Sequence, residues 1–152
     1  MKVKVQDLVP GVVDGLDMHI PGSGVPVREK WYEWVPVAIE AQFQTCAVSG
    51  GVLKGWKHAP VFTDLEFYPD KRLVFVVMGC GIFPFADVKD GVVDMESVQL
   101  IRAKRGSKFV VPAYKASFAP VAENELEVIC VIASARMEPK RIVLAEEIEG
   151  CS

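Results

Sequence analysis

Hydrophobic and polar residues alternate with a period of two along much of this chain. Such alternation is typical of β-strands, because successive side chains of a strand point to opposite faces. It predicts strands over Met1–Val5, Val35–Ala47, Phe62–Tyr68, Leu73–Val77, Val98–Ala103, Phe109–Val111, Leu126–Ala133 and Ile142–Ala145. No window of a dozen residues keeps an amphipathic helical stripe. Helix is therefore expected only as a short turn near Asp94–Ser97 or around Glu146.

Turn-forming sequences separate these strands. They include Tyr68-Pro-Asp, Gly79-Cys-Gly, Lys89-Asp-Gly and Arg105-Gly-Ser. Short strands at a spacing of roughly ten residues favour an all-β sandwich or barrel. We expect one domain over residues 1–152, with an N-terminal arm, loop and strand over 1–34 and a barrel over 35–152. The arm includes the Gly/Pro-rich stretch Gly11–Val27.

Composition supports one packed core and excludes several classes of partner. The 152 residues are 51% hydrophobic and 24% charged, so wholesale disorder is excluded. The net charge of -3 gives no field that would attract nucleic acid or an anionic membrane. The basic run Arg102–Lys108 straddles a turn and is interpreted as a solvated turn. The longest apolar stretch, Leu73–Ala86, is too short and too interrupted to span a bilayer.

Cysteine and histidine are sparse. Four cysteines occur without any C-x-x-C spacing, and no secretory segment precedes them, so reduced thiols and a cytoplasmic location are expected. Cys46 and Cys130 lie in apolar runs, which predicts small buried hydrophobes. His19 and His58 are the two histidines, which excludes a site of three histidine ligands. We interpret His58 as a loop residue.

Two short stretches resemble the signatures of cupins, the small double-stranded β-barrels. The first cupin signature ends in H-x-H, then Glu, then Gly; here Glu66-Phe-Tyr68, Arg72 and Gly79 keep its spacing. The second signature runs from Gly through P-x-G to His; here Gly106, Pro112-Ala-Tyr114 and Ser117 keep it. The turn-forming residues survive, whereas all four metal-ligand positions are substituted. The resemblance thus implies a jelly-roll barrel with neither metal nor other cofactor.

Among cupins, the second half of the chain is most similar to the ureidoglycolate lyase family. The segment Leu65-Glu-Phe-Tyr-Pro69 matches a family stretch that carries His where Tyr68 stands. Ala113-Tyr-Lys-Ala116 matches a second stretch, with Tyr114 in place of Trp and Lys115 in place of His. The resemblance extends from about Asp64 to the C-terminus. It implies a lyase or hydrolase that cleaves a C–N bond and releases urea from an anionic 2-hydroxy substrate.

Strand alternation and the resemblance together define a candidate site. Glu66 and Tyr68 share a strand face, and Lys115 and Ser117 share another; in a cupin alignment these side chains and Arg72 point into the barrel. Glu66 is then the candidate base and Tyr68 or Lys115 the acid. Arg72 is suited to bind a carboxylate, which predicts a small anionic or polar metabolite as the ligand. The remaining candidate substrate-binding residues are Tyr114 and Ser117.

Each candidate has a structural alternative. Glu66 and Arg72 could form a structural ion pair, Lys115 could be a solvated loop lysine, and Tyr68 could be a turn aromatic. Three functions therefore stay open. They are the lyase, a non-catalytic or isomerase-like metal-free cupin that binds a sugar or other polar metabolite, and a structural barrel filled by aromatic side chains. A homodimer is expected through the arm and the aromatic segment Trp31–Trp34.

Overall fold

The computed structural model describes residues 1–36, 39–44, 47–135 and 138–152, and these are built almost entirely of β-strands. The strands in chain order are β1 (Lys2–Asp7), β2 (Asp17–His19), β3 (Val27–Arg28), β4 (Glu33–Trp34), β5 (Val48–Trp56), β6 (Val61–Phe67), β7 (Arg72–Met78), β8 (Cys80–Ala86), β9 (Val88–Lys89), β10 (Val92–Val93), β11 (Gln99–Lys104), β12 (Lys108–Val111), β13 (Ala116–Ser117), β14 (Val121–Ala122), β15 (Glu127–Ala135) and β16 (Lys140–Cys151). A 3-10 turn, Met95–Ser97, begins at the capping side chain of Asp94 and confirms the helical turn predicted there. In the described ranges no helix has the length and apolar character needed to cross a membrane.

Six strands close into a ring. Their order is β11, β1, β16, β6, β13 and β8, and β8 pairs back to β11, while β14 extends β8. Strand β1 runs parallel to both neighbours, with Val5 opposite Leu100 and Lys2 opposite Glu149. The predicted division into an arm over 1–34 and a barrel over 35–152 is therefore wrong for the first strand. Val3 and Val5 alternate with polar residues because β1 is part of the ring.

A second sheet of five strands packs on one side of the ring. Its order is β2, β12, β7, β15 and β5, all antiparallel. One buried hydrophobic cluster consists mainly of side chains from the ring strands, such as Leu65, Leu100 and Ile148. A second cluster joins the ring to the five-stranded sheet, with Phe85 from β8 and Phe109 from β12. The space between the two sheets is the interior of the jelly roll.

Two predicted elements differ in the structure. The strand expected over Val35–Ala47 does not form in its described part; Val37, Ala38, Thr45 and Cys46 lie outside the described residues. A hydrogen bond to the buried Asp70 carboxylate instead holds the backbone N–H of Gln44. The helical turn expected around Glu146 is also wrong, because β16 continues through that residue. Cys130 is fully buried, as its apolar surroundings predict.

Glycine permits the close approach of strands at the turn after β7. Gly79 has a φ of 77°, and a Cβ built there would lie 2.6 Å from the carbonyl oxygen of Glu127. A side chain at this position would meet backbone, so the contact between β7 and β15 requires glycine. Gly106 also has positive φ, at 90°, in the turn between β11 and β12. Both glycines belong to the cupin-like spacing found in the sequence.

Candidate functional site

A cavity of about 260 Å³ lies between the ring and the five-stranded sheet. We call it the barrel cavity. Its polar side chains come from both sheets and are Glu66, Tyr68, Arg72, Ser117 and Ser134. Its apolar lining consists mainly of aliphatic and phenylalanine side chains: Leu53, Val74, Phe83, Phe85, Phe109, Val111, Phe118, Ala119, Pro120 and Ile132. An apolar pocket with a few convergent polar groups is the usual form of a small-molecule site.

Strand register brings the polar residues together. Glu66 of β6 is directly opposite Ser117 of β13, and this pair lies on the ring side of the cavity. Arg72 of β7 is directly opposite Ser134 of β15 on the facing sheet. Directly opposite residues share a face in an antiparallel pair, so each pair can act on one ligand.

The turn between β6 and β7 fixes Tyr68 and Arg72 relative to each other. Asp70 lies in this turn and is buried. Its carboxylate accepts hydrogen bonds from the backbone N–H of Lys71 at 2.8 Å and of Gln44 at 3.0 Å. A buried carboxylate needs such donors, and they give the turn one defined shape.

Arg72 makes two distinct contacts at the cavity wall. Its Nη2 donates a hydrogen bond of 2.6 Å to the Ser117 hydroxyl. Its guanidinium carbon lies 4.2 Å from the centroid of the Tyr68 ring, within the range of a cation–π contact. Its Nε is buried and has no hydrogen-bond partner in the described structure. One donor of a buried cation is thus left unused.

Burial shifts the protonation of both Arg72 and Tyr68. It lowers the pKa of the Arg72 guanidinium to about 10, against the opposing effect of nearby Tyr68 and Glu66. The guanidinium therefore stays charged at neutral pH. Burial also raises the pKa of the Tyr68 phenol; the charge of Arg72 opposes this, and Glu66 adds to it. At neutral pH the phenol keeps its proton and can donate it.

Glu66 does not form the structural ion pair with Arg72 that the sequence left open. None of the salt bridges between described residues involves either side chain. Within the described ranges, neither the Glu66 carboxylate nor the Tyr68 hydroxyl takes part in a side-chain hydrogen bond. Both groups line the barrel cavity and are available to a ligand there.

Lys115 and Tyr114 do not line this cavity. The Lys115 ammonium is buried and lies 2.6 Å from Oδ1 of Asp87. Tyr114 is 57% exposed, and its φ of 64° places it in a turn. Strand β13, which contains Ser117, begins only at Ala116. Residues 112–115 before it form a turn closed by a hydrogen bond from the Lys115 N–H to the Pro112 carbonyl, so Lys115 does not share the strand face of Ser117. The expected convergence of Lys115 with Glu66 and Arg72 is therefore wrong, and so is the solvated alternative for Lys115.

Sequence reasoning missed Ser134 and the phenylalanine floor of the cavity. Alternate residues of β15 face the interior, namely Cys130, Ile132 and Ser134. The hydroxyl at the end of this apolar row could have identified Ser134 from the sequence as a cavity residue. Strand β8, Cys80–Ala86, was not predicted because it contains a proline, and this strand contributes Phe83 and Phe85. The catalytic and binding roles of all the candidate residues stay predictions.

Neither histidine lies at the barrel cavity. His58 lines a separate shallow pocket with Trp56, and its Nδ1 lies 2.6 Å from the carbonyl oxygen of Ala59. His19 lies on the outer face of the five-stranded sheet. Across the described residues, no cluster of three or more His, Cys, Asp or Glu side chains could hold a metal ion.

Comparison with solved structures finds similar folds at low sequence identity. A dTDP sugar isomerase from Desulfovibrio desulfuricans G20 has a TM-score of 0.55 at 10% identity, over 88% of this chain and 87% of that chain. A dTDP-4-dehydrorhamnose 3,5-epimerase from Bacillus anthracis, with TDP and PPi bound, has a TM-score of 0.49 at 9% identity, over 80% of both chains. RmlC from Streptococcus suis, in complex with dTDP-D-xylose, has a TM-score of 0.46 at 14% identity, over 60% of this chain. The match covers 45% of the Streptococcus suis chain, less than half of its length.

Neither family models nor curated proteins give a significant match to this sequence. The isomerase-like fold and the closed ring of strands confirm the predicted all-β, cupin-type barrel. The resemblance to ureidoglycolate lyases is not supported, since no family model or curated protein matches and the similar fold is that of a dTDP sugar isomerase. At this level of identity the comparison establishes the fold.

Proposed function

We propose that the protein binds a small anionic polar metabolite, such as a sugar acid or keto acid, in the barrel cavity and acts on it as an isomerase. The observation that carries this proposal is the half-buried Arg72 guanidinium, whose Nε is buried and unpartnered and which pairs with no carboxylate in the described structure. A buried charge is costly unless it is paired. A ligand carboxylate would supply the missing partner.

The cavity suits a ligand about the size of a monosaccharide. Its volume of about 260 Å³ falls below the 300–1,000 Å³ of sites for drug-sized ligands. Four phenylalanines line the space without filling it, which argues against the purely structural barrel. Hydroxyls of Ser117 and Ser134 can bond to ligand hydroxyls on opposite walls.

Glu66 and Tyr68 support the isomerase part of the proposal. A carboxylate next to a protonated phenol forms a base–acid pair for proton transfer. Glu66 would remove a proton from a carbon next to the ligand carbonyl, and the C–H electrons would form an enol as Tyr68 protonates the carbonyl oxygen. Return of a proton to carbon, on the other face or at the neighbouring carbon, completes an epimerisation or isomerisation. The net reaction consumes no oxidant or reductant.

Calorimetric titration tests the binding step. The ligands are hexuronates, aldonates and 2-keto acids, each paired with a counterpart that lacks the charge, such as glucuronate with glucose. We expect at least one acid to bind about tenfold or more tightly than its neutral counterpart. Arg72→Met should abolish this preference, and Arg105→Met, at an exposed arginine of a turn, is the matched control. Equal affinity for acids and neutral sugars, or an unaffected Arg72→Met variant, would contradict the proposal.

Solvent exchange tests the chemical step separately. In deuterated water, the wild type should exchange the C–H proton next to the carbonyl of a bound acid, which NMR detects. Glu66→Gln should keep the affinity and lose the exchange, because the amide retains the shape and removes the base. If the acid binds but no exchange occurs, the isomerase step is wrong and the protein is a binding module.

A further inference from the structure

A second and larger cleft, of about 700 Å³, lies on the outer face of the five-stranded sheet. We call it the outer cleft. Its floor is a row of three side chains on adjacent strands, because Lys108 of β12 is directly opposite both His19 of β2 and Phe75 of β7. Phe109, the next residue of β12, lines the barrel cavity instead. The two cavities therefore lie on opposite faces of the same sheet.

The roof of the outer cleft is formed by described residues that include Pro21, Trp34 and Ile39. Near its start, the Ser23 hydroxyl donates to the Ile20 carbonyl at 2.7 Å and lies 3.1 Å from Nδ1 of His19. Further along, β3 and β4 form a small hairpin in which Val27 is opposite Trp34. The contact between Ser23 and His19 connects the roof to the floor, and the hairpin forms part of the wall of this open cleft.

The polar groups of the cleft favour an anion. Glu33 is the acidic residue of the lining, and its carboxylate already pairs with Arg28 at 3.4 Å. The Lys108 ammonium donates to the Gly106 carbonyl oxygen at 3.2 Å and forms no salt bridge within the described ranges. His19 lies beside it in the same row. A cation without an ionic partner at the floor of an apolar cleft favours the binding of an anion.

We propose that the outer cleft is a second ligand site, specific for an aromatic or similarly apolar acid. The apolar body would lie between Phe75 and Trp34, where ring faces and edges stabilise one another. The carboxylate or sulfonate would lie at the Lys108 ammonium, with His19 as a second donor. The volume falls within the range of ligand pockets, and this proposal does not depend on the function of the barrel cavity.

Titration with 8-anilinonaphthalene-1-sulfonate, an aromatic sulfonate whose fluorescence rises in apolar surroundings, tests the proposal. We expect saturable binding to the native protein at one site per chain. Lys108→Met and Trp34→Ala should each weaken it by about fivefold or more. Lys104→Met, at an exposed lysine outside the cleft, and Trp31→Ala, at an exposed aromatic of the same hairpin, are the matched controls and should leave it unchanged. Unchanged thermal melts exclude dye bound by a loosened core.

Four results would overturn the proposal. Full affinity in both Lys108→Met and Trp34→Ala would place the dye elsewhere. Loss of binding in Arg72→Met with retention in Lys108→Met would place it in the barrel cavity. An effect of Trp31→Ala as large as that of Trp34→Ala would indicate adsorption to the hairpin surface. Conversion of a dimer to a monomer by Trp34→Ala, detected by light scattering, would identify a second copy of the chain as the occupant.

Discussion

Nη2 of Arg72 donates a hydrogen bond of 2.6 Å to the hydroxyl of Ser117, 45 residues further along the chain. This bond joins the five-stranded sheet to the ring across the barrel cavity. Nε of the same guanidinium has no hydrogen-bond partner. The Ser117 hydroxyl is therefore an important acceptor for this cation.

We expect Ser117→Ala to lower the free energy of unfolding by about 1–3 kcal/mol, since it removes a partner from a buried charged donor. Urea denaturation measures the change. In an Arg72→Met background the same substitution should cost clearly less, because the cation is gone. Ser49→Ala, at an exposed serine of β5, is the control. Equal costs in the two backgrounds would show that the hydrogen bond contributes nothing.

Acid binding should depend on pH through Arg72. Since burial lowers the pKa of this group to about 10, its positive charge, and with it the affinity for an anion, should fall as the pH rises through about 10. Stability should change in the opposite direction. Between about pH 10 and the ordinary range of arginine the unfolded chain binds more protons, so this group's contribution to the free energy of unfolding rises with pH.

Affinity for the best acid ligand, measured by calorimetry from pH 7 to about pH 11, checks this expectation. Tyr68→Phe serves as the background, because the pKa of Tyr68 is raised and its ionisation would also repel an anion at high pH. Constant affinity through about pH 11 in that background would contradict the lowered pKa of Arg72, whereas the Arg72→Met titration tests its role as the anion-binding group.

The ion pair between the buried Lys115 and the exposed Asp87 should stabilise the fold and leave ligand binding unchanged. Lys115 is 8% exposed, whereas Asp87 is 51% exposed. Asp87→Ala should therefore be the more damaging substitution, by up to about 3 kcal/mol, because it leaves a buried ammonium without its partner. Lys115→Met should leave acid affinity within about twofold. A Lys115→Met variant that folds normally and loses activity would instead support the catalytic role predicted from sequence.

We expect a dimer in solution. Strand β5 pairs with β15 on one side, and it exposes Val48, Val52 and Trp56. Exposed edges of this kind favour pairing with a second copy across a two-fold axis. Light scattering at micromolar concentration should give twice the chain mass, and Val52→Lys should give the monomer. A monomeric wild type would contradict this contact and the dimer predicted from the sequence.

Purified, tag-free protein should contain far less than one transition-metal ion per chain. The positions that correspond to cupin ligands are occupied by Glu66, Tyr68, Arg72 and Ser117, and the guanidinium among them repels a second cation. Elemental analysis measures the content. Stoichiometric iron, manganese, nickel or zinc, together with a lower melting temperature after chelation, would overturn this expectation.

The alternation of side chains was sufficient to predict most strands, and together with the cupin resemblance it predicted four of the five polar residues of the barrel cavity. Glu66, Tyr68, Arg72 and Ser117 lie on or beside strands whose inward face is set by a period of two. Lys115 was misplaced because the turn before β13 ends that period. The role of β1 in the ring was also missed, since its partners Leu100 and Glu149 are remote in sequence. Local pattern predicts which face a residue occupies, and long-range pairing decides which strands form that face.

The position of β1 between β11 and β16 has a consequence for how the chain folds. Lys2 pairs with Glu149, so the ring joins two residues that are 147 positions apart in the sequence. During synthesis, β1 cannot pair with β16 until β16 has left the ribosome, and Val3 and Val5 stay unburied until then. Contacts so distant in sequence impose a large entropic cost before any gain, which makes ring closure a late and slow step. Until the ring closes, the unpaired edges and apolar side chains of β1 can associate with other chains.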